Sequence, residues 1–413
     1  MKLYLFNKSE TASIYGIGTY LEELTNALAN ADINVHIVHL HSIRPEFEIE
    51  KIGKIENWYI PEVANNNTFY APFSKMEDYL QNVIYFLRLH IESTKDLIFH
   101  FNINVCQLLA KELKAAFNCK TVATVHYLKW MLELHGNLTK FHTLKSKSDN
   151  QRNTFEKIQY KNNEYESRLF KEVDHIIALS QYTSSFISSE YQINPKKISV
   201  ILNGMKDKNS GLGTDKHVLR KKWRIPEKEF LFLFTGRVYE GKGIQFLIRA
   251  FRKILETVPD CRLLIAGNGE FDVYMKECAD ICTHITWTGL LSKEKLYELY
   301  SIADVGVLPS LSEQCSYVAI EMMMYGLPLI VSDVSGLSEM IDDGVTGLKF
   351  PVHENEKNVE IDVSMLTQKM MYMLKNETER ERMGSNARKK YKKFYSSEIM
   401  GSKMFCLYKS LFY

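Results

Sequence analysis

Short, unbroken apolar runs alternate with segments of helical period along this chain, and that rhythm restricts the fold more than any single residue does. The first series of runs is Lys2–Phe6, Asn34–Leu40, Asp96–Phe101, Lys120–Val125, Asp174–Leu179 and Ile198–Leu202. Between them lie helical patterns such as Met76, Tyr79, Leu80, Val83, Leu87 and Ile91. Strands that are apolar on both faces belong to a parallel sheet covered by helices on both sides. The rhythm breaks at Met205–Lys216, a polar stretch with Gly211 and Gly213 that reads as a linker. A second series then follows: Phe230–Gly236, Arg262–Ala266, Val305–Pro309 and Leu327–Val331. The expected fold is α/β, with two Rossmann-like parallel-sheet domains at 1–204 and 217–394 joined by a linker at 205–216. Two such domains form a cleft between the carboxyl ends of their sheets, where open α/β sheets take ligands.

Composition narrows the class of protein. At 413 residues, two to three domains are expected, each long enough to bury its own core. A formal charge of +2 gives no global reason to expect nucleic acid. No stretch of 18 apolar residues suggests a membrane span, and the N-terminus reads directly as a strand rather than a leader. Seven cysteines, an odd number, suggest reduced thiols and a cytoplasmic location, with membrane contact peripheral at most. Cys278, Cys282 and His284 invite a metal reading, but no second Cys/His pair at zinc spacing supports it, and core cysteines fit better.

Glu313 and Glu321 are separated by seven residues, after an apolar strand and running into a helix. Thr235–Gly243 follows another strand and opens a helix. It places Arg237 and Lys242 at the strand's end, with Gly236, Gly241 and Gly243 permitting close backbone approach. Arg forks two phosphate oxygens and Lys adds a point charge, which suits a diphosphate leaving group. Gly267-Asn-Gly269 is the turn after the next strand, and Trp287–Leu291 passes nearby with Gly289 and Leu290. In the first half, Gly16 and Gly18 lead into a helix, and His126 directly follows the strand Thr121–Val125. Gly16-x-Gly18-x-x-Leu21 lacks the third glycine of a dinucleotide fingerprint.

Together these motifs resemble the retaining glycosyltransferases of family 4, which have the GT-B architecture. The resemblance is strongest from about Phe230 to Leu348, where Gly-Arg-x4-Lys-Gly and Glu-x7-Glu both match. It implies a nucleotide-sugar donor, with a UDP-sugar expected, and transfer to an acceptor hydroxyl with retention by a front-face path. Arg237 and Lys242 are then the diphosphate ligands, Glu321 the ribose ligand, and Glu313 and His126 contacts of the donor sugar. Backbone groups of Gly16, Gly18, Gly236, Gly267, Gly269, Gly289, Leu290, Cys315, Ser316 and Tyr317 complete the donor site. Many members have Gly-Phe-Gly between the glutamates where this chain has Gln314-Cys315-Ser316-Tyr317, which bears on donor-sugar identity. No metal or cofactor is implied; the chain has no Asp-x-Asp, and the two cations replace a metal's charge. In the family the last helix crosses back to the first domain, which assigns 395–413 to that role with Phe405, Leu407, Leu411 and Phe412 as packing residues.

The expected acceptor is a glycan or lipid-linked glycan precursor, with a peptide or natural product as the alternative. A sugar-nucleotide epimerase and a binding protein with a degenerate site remain as readings of other classes. Two basic stretches stay open. Tyr127–Asn163, with seven Lys/Arg and the patch Trp130-Met131-Leu132, is either an acceptor or membrane contact or a solvated loop and helix. The run 387–393 reads as a charged helix face rather than a nucleic-acid site.

Overall fold

The computed structural model describes residues 1–8, 16–62, 73–102, 107–209 and 215–412. Its chain divides into two compact units. The first contains 1–128, 158–204 and 397–413, and the second 129–157 and 205–396.

The first unit's sheet is built from β1 (Lys2–Lys8), β2 (Asn34–Ser42), β3 (Glu48–Ile52), β4 (Ile55–Pro61), β5 (Leu97–Phe101), β6 (Cys119–Val125), β7 (His175–Ala178) and β8 (Ile198–Val200). Their spatial order is β3-β4-β2-β1-β5-β6-β7-β8, parallel except for β3 against β4. The order reverses between β1 and β5. The strands β3, with three charged residues in five, and β4, interrupted by Glu56 and Asn57, add an edge that the apolar-run pattern misses. The helical series 76–91 forms the helix Phe73–His90, burying Tyr79, Leu80, Val83 and Leu87.

The second unit's sheet contains β9 (Phe230–Thr235), β10 (Cys261–Ala266), β11 (Ile285–Gly289), β12 (Val305–Leu308), β13 (Leu329–Ser332) and β14 (Gly347–Phe350). All pairings are parallel, in the order β11-β10-β9-β12-β13-β14. This is the doubly wound order, with its switch point between β9 and β12. A hairpin of β15 (Val352–Glu354) and β16 (Val359–Ile361) follows. The core is dense where the helix Ile244–Leu255 lies against the sheet, burying Ile244, Phe246, Leu247, Ile248, Ala250, Phe251 and Ile254.

Three expectations are corrected. The stretch 129–157 belongs to the second unit, not to a continuous domain 1–204. Asn137 donates its amide to the carbonyls of Asn355 and Asn358 (2.7 and 3.3 Å), and the Glu354 carboxylate accepts from the backbone of Leu138 and Thr139 (2.9 and 3.2 Å). Two of the three patch residues are interior, Trp130 and Met131 at 1% and 2% exposed, and Leu132 alone of the three is exposed, at 42%. The expected linker 205–216 is structured at its start. Met205 is buried, its N–H donates to Tyr395 O, and Asp207 pairs with Arg388 (2.5 Å), so 205–209 is part of the second unit; Gly211 and Gly213 lie outside the described residues. The last helix, Ser397–Ser410, packs on the helix Gly16–Leu28 in the first unit through Met400, Gly401, Met404 and Tyr408. Phe405, Leu407, Leu411 and Phe412 are only half-buried, one face over from that seam.

The remaining open points resolve as surface chemistry. In the basic run, Ala387 and Tyr391 are buried while Lys390 pairs with Asp342 (2.9 Å), as on an ordinary charged helix. Cys278 is buried, Cys282 is exposed, and His284 Nδ1 instead faces the Cys261 carbonyl at 3.3 Å, so the three do not converge.

Candidate active site in the second unit

The polar groups gather at the carboxyl ends of β9 and β12, the switch point. Gly243 sets their spacing. It has φ +67°, and a Cβ there would stand 2.0 Å from the Pro309 carbonyl, so only glycine lets the turn 240–243 close on the end of β12. That contact brings Lys242, at the end of the turn, against Glu313, beyond β12. The Lys242 ammonium donates to Glu313 Oε2, with the two side chains 21% and 20% exposed. Burial works to lower the Lys242 pKa, but Glu313 and Tyr239 more than offset it, and the net shift is upward. The lysine stays charged. Arg237, immediately after β9, is exposed, with its guanidinium 5.7 Å from the Tyr239 ring centroid.

The loops around this pair are stitched to each other. Gly236 N–H donates to Ala266 O (3.0 Å), Val238 N–H to Asn268 O (2.8 Å) and Gly267 N–H to Gly289 O (2.9 Å). Gly267 and Gly269 are glycine for this reason, since a Cβ would meet Gly236 O at 1.8 Å and Val238 O at 2.0 Å. Gly289 turns with φ +67°, leaving Leu290 at 69% exposure.

Glu313 is held by its backbone. Its N–H donates to Ser335 Oγ (3.1 Å), and its carbonyl accepts from Ser335 Oγ (2.6 Å) and Gly336 N–H (3.0 Å). Ser335 has φ +34°, a strained backbone for a residue with a Cβ. Gln314, Cys315 and Ser316 are buried beneath it. Ser316 caps the helix Tyr317–Met324. Its own N–H points inward at Met340 Sδ (3.2 Å), contrary to the expectation that this amide faces a ligand.

Glu321 projects from that helix and is 8% exposed. Tyr300 Oη donates to Glu321 Oε2 at 2.7 Å, and Thr235 Oγ1 lies 3.1 Å from the same phenol. Burial raises the Tyr300 pKa far above its usual value, with the nearby Glu321 charge acting the same way, so the phenol remains a donor. Sequence reasoning missed Tyr300 and Ser335. Tyr300 lies on another helix, Lys293–Ile302, and Ser335 beyond β13, and no local spacing links either to the glutamates.

His126 and the first-helix glycines lie in the first unit. Gly16 and Gly18 occupy the first turn of Gly16–Leu28; residues 9–15 before it are outside the described residues. His126 Nε2–H donates to Asn102 Oδ1 at 3.2 Å, at the ends of β6 and β5, and its ring meets Tyr20 edge-on. Burial lowers the His126 pKa to about 3, so the ring is neutral.

Two family models match this chain: Glycosyltransferase Family 4 over residues 14–208, and Glycosyl transferases group 1 over residues 215–390. The chain belongs to glycosyltransferase family 4. An uncharacterized glycosyltransferase of Methanocaldococcus jannaschii is 33% identical over 182 residues, 42% of this family 4 chain and 46% of that protein. The chain spans about half the length of the curated relatives it matches. Among solved structures, sucrose-phosphate synthase from Thermosynechococcus elongatus superposes with a TM-score of 0.76 at 21% identity, covering 100% of this chain and 99% of that one. The Anabaena protein HepE in complex with UDP does so at 0.72 and 14%, covering 99% and 100%. These likenesses show the GT-B fold.

Proposed function

We propose that this family 4 chain transfers a sugar from a nucleoside-diphosphate donor, a UDP-sugar, to an acceptor hydroxyl, with retention and without a metal. The observation that carries the reading is the Lys242–Glu313 pair beside exposed Arg237 at the switch point. Transfer builds negative charge on the departing diphosphate, and fixed cations stabilise it most when they need no rearrangement. Lys242 has three donors, so one hydrogen stays on Glu313 while the others turn to phosphate oxygens. Arg237 adds a fork for the same group.

In the proposed step the bond from the anomeric carbon to the diphosphate oxygen breaks while the acceptor oxygen bonds to that carbon on the same face. The acceptor's proton passes to the leaving phosphate oxygen. Glu313 accepts from hydroxyls of the donor sugar, and Glu321, oriented by Tyr300, accepts from the ribose. His126 is assigned as a neutral hydrogen-bonding group, which its depressed pKa supports. The UDP preference takes support from the HepE complex, which holds UDP in the same fold. A glycan or lipid-linked glycan precursor is the proposed acceptor.

The reading is tested by incubating the protein with UDP-glucose, UDP-galactose and UDP-N-acetylglucosamine, with EDTA present, against an array of oligosaccharide and lipid-linked acceptors. Nuclear magnetic resonance of the product reports its anomeric configuration. The expected product keeps the donor's configuration. An inverted product, or turnover that requires an added divalent ion, contradicts the proposal.

A further inference from the structure

A cavity of about 520 Å3 lies wholly within the second unit, between the 133–140 turn and the start of the helix Ile244–Leu255. Its walls are built in place. The turn runs through two left-handed residues, His135 (φ +53°) and Gly136 (φ +76°). A Cβ on Gly136 would meet Leu311 O at 3.1 Å, which presses the turn against the loop after β12. On the other side, the Asn137 amide fixes the turn to the β15–β16 hairpin. A non-glycine residue held left-handed persists only where its surroundings enforce it, and such positions concentrate at ligand sites.

The lining specifies a ligand chemistry. Glu133, Glu240 and Glu360 are matched by Lys140, Arg249 and Lys357, so the cavity carries no net charge to select a phosphate or an ammonium group. The Gln245 amide stands among them and both donates and accepts, as a hydroxyl does, while the Asn137 amide is spent on holding the wall. Among the described residues, Gln245 Oε1 has no hydrogen-bond partner. Leu134, Phe246 and Leu311 supply apolar surface, and a pyranose presents C–H faces between its hydroxyls. The volume lies within the range of small-molecule sites.

We propose that this cavity is a second ligand pocket, for a neutral, hydroxyl-rich sugar unit. The occupant touches the loops that carry the proposed donor site. Glu240 and Leu311 line the cavity, Leu311 N–H donates to Gly241 O at 2.9 Å, and Lys242 and Glu313 each lie two residues further on. Such a sugar is either part of the acceptor chain or a free sugar that modulates transfer. Only the choice between these sources rests on the transferase reading.

The test is saturation-transfer NMR with maltose, lactose and N-acetylglucosamine as probes, on the wild type, Gln245→Ala and Lys357→Trp. Lys357 is exposed at the rim, so its variant tests occupancy even if Gln245→Ala fails to fold. We expect at least one probe to bind with a millimolar Kd, and both variants to weaken it by about fivefold or more, about 1 kcal/mol. UDP affinity, measured by calorimetry on the same samples, should stay within about twofold. Adding a UDP-sugar separates the sources: an elongated probe marks an acceptor, and an unconsumed but displaceable probe marks an effector. Either supports the pocket. No saturation transfer at about 50 mM probe, well beyond millimolar affinity, or signals equal in all three proteins, overturns it. Loss of UDP binding with probe binding intact would instead count against the donor site alone.

Discussion

In the second unit a half-buried lysine keeps its proton; in the first, a buried and a half-buried histidine give theirs up. Both sets of groups stand at the carboxyl ends of strands beside a reversal in strand order, β9/β12 in one sheet and β1/β5 in the other. The difference is the partner. Burial acts against the charge in every case, but Lys242 faces the Glu313 carboxylate, which reverses the shift. His126 faces an Asn amide, and His100 faces Tyr408 Oη and Thr124 Oγ1, both at 2.7 Å. Nothing offsets burial there, and both pKa values fall to about 3. The topology supplies the place, and the neighbouring side chain decides whether a fixed charge or a neutral hydrogen-bonding group occupies it.

Removing the carboxylate should break this contrast most. In Glu313→Ala the proposed donor-sugar contact is lost and Lys242 loses the larger of the influences that oppose burial, so kcat/KM should drop by about 10^2 to 10^3. Glu313→Gln, which keeps the shape, should shift the alkaline limb of the pH–rate profile to lower pH, because the larger upward influence on Lys242 is gone. An unmoved limb would separate Lys242 from the reaction.

The histidine side is tested by acid. His100 is neutral when folded and ordinary when unfolded, so the unfolded chain binds the extra proton. Its contribution to stability is present above pH 6.5 and is lost as pH falls toward about 3. The protection of the Leu97–Phe101 amides, taken relative to intrinsic exchange at each pH, should fall below pH 6.5 by about 1.4 kcal/mol per pH unit for each such histidine exposed on opening. His100→Gln should reduce that slope by one histidine's share, leaving His126. The buried chain Tyr408–His100–Thr124–Tyr20 includes the last helix, so exchange in Ser397–Ser410 should follow the same pH dependence.

The polar relay in the second unit predicts a smaller effect. Tyr300→Phe removes the donor to Glu321 while keeping the ring, and should weaken UDP binding by about 1 kcal/mol, near fivefold, with a smaller change for a nucleotide lacking the ribose 2′-hydroxyl. Ser335→Ala should be milder still, about two- to threefold in kcat with KM nearly unchanged, because only the backbone of Glu313 is loosened. Steady-state kinetics with the preferred donor distinguishes these patterns.

What was legible in the sequence follows from the range over which each feature is encoded. Arg237 and Lys242 share one loop, and Glu313 and Glu321 flank one helix start, so local spacing locates both pairs on their elements. Their meeting needs β12 beside β9, which the doubly wound rhythm implies. Tyr300 and Ser335 reach the site from other turns, through side-chain directions that no spacing records. Assigning 129–157 to the first domain followed chain continuity, whereas the bonds that decide it lie about two hundred residues away, at Glu354, Asn355 and Asn358. The last helix was legible as a helix but not in phase. Met400, Met404 and Tyr408 form its buried seam because Gly401 lets it approach Ala27, a contact that hydrophobicity alone does not single out.

The central claim is that fixed cations at the β9/β12 switch hold a nucleoside diphosphate without a metal. The direct measurement is calorimetric titration of UDP, with GDP and ADP alongside, into wild type and Arg237→Ala in EDTA. The account predicts that wild type binds UDP with micromolar affinity and that Arg237→Ala loses about 1.5 to 3 kcal/mol, ten- to a hundredfold. Equal UDP affinity in the two proteins, or binding that appears only when a divalent ion replaces EDTA, would contradict it.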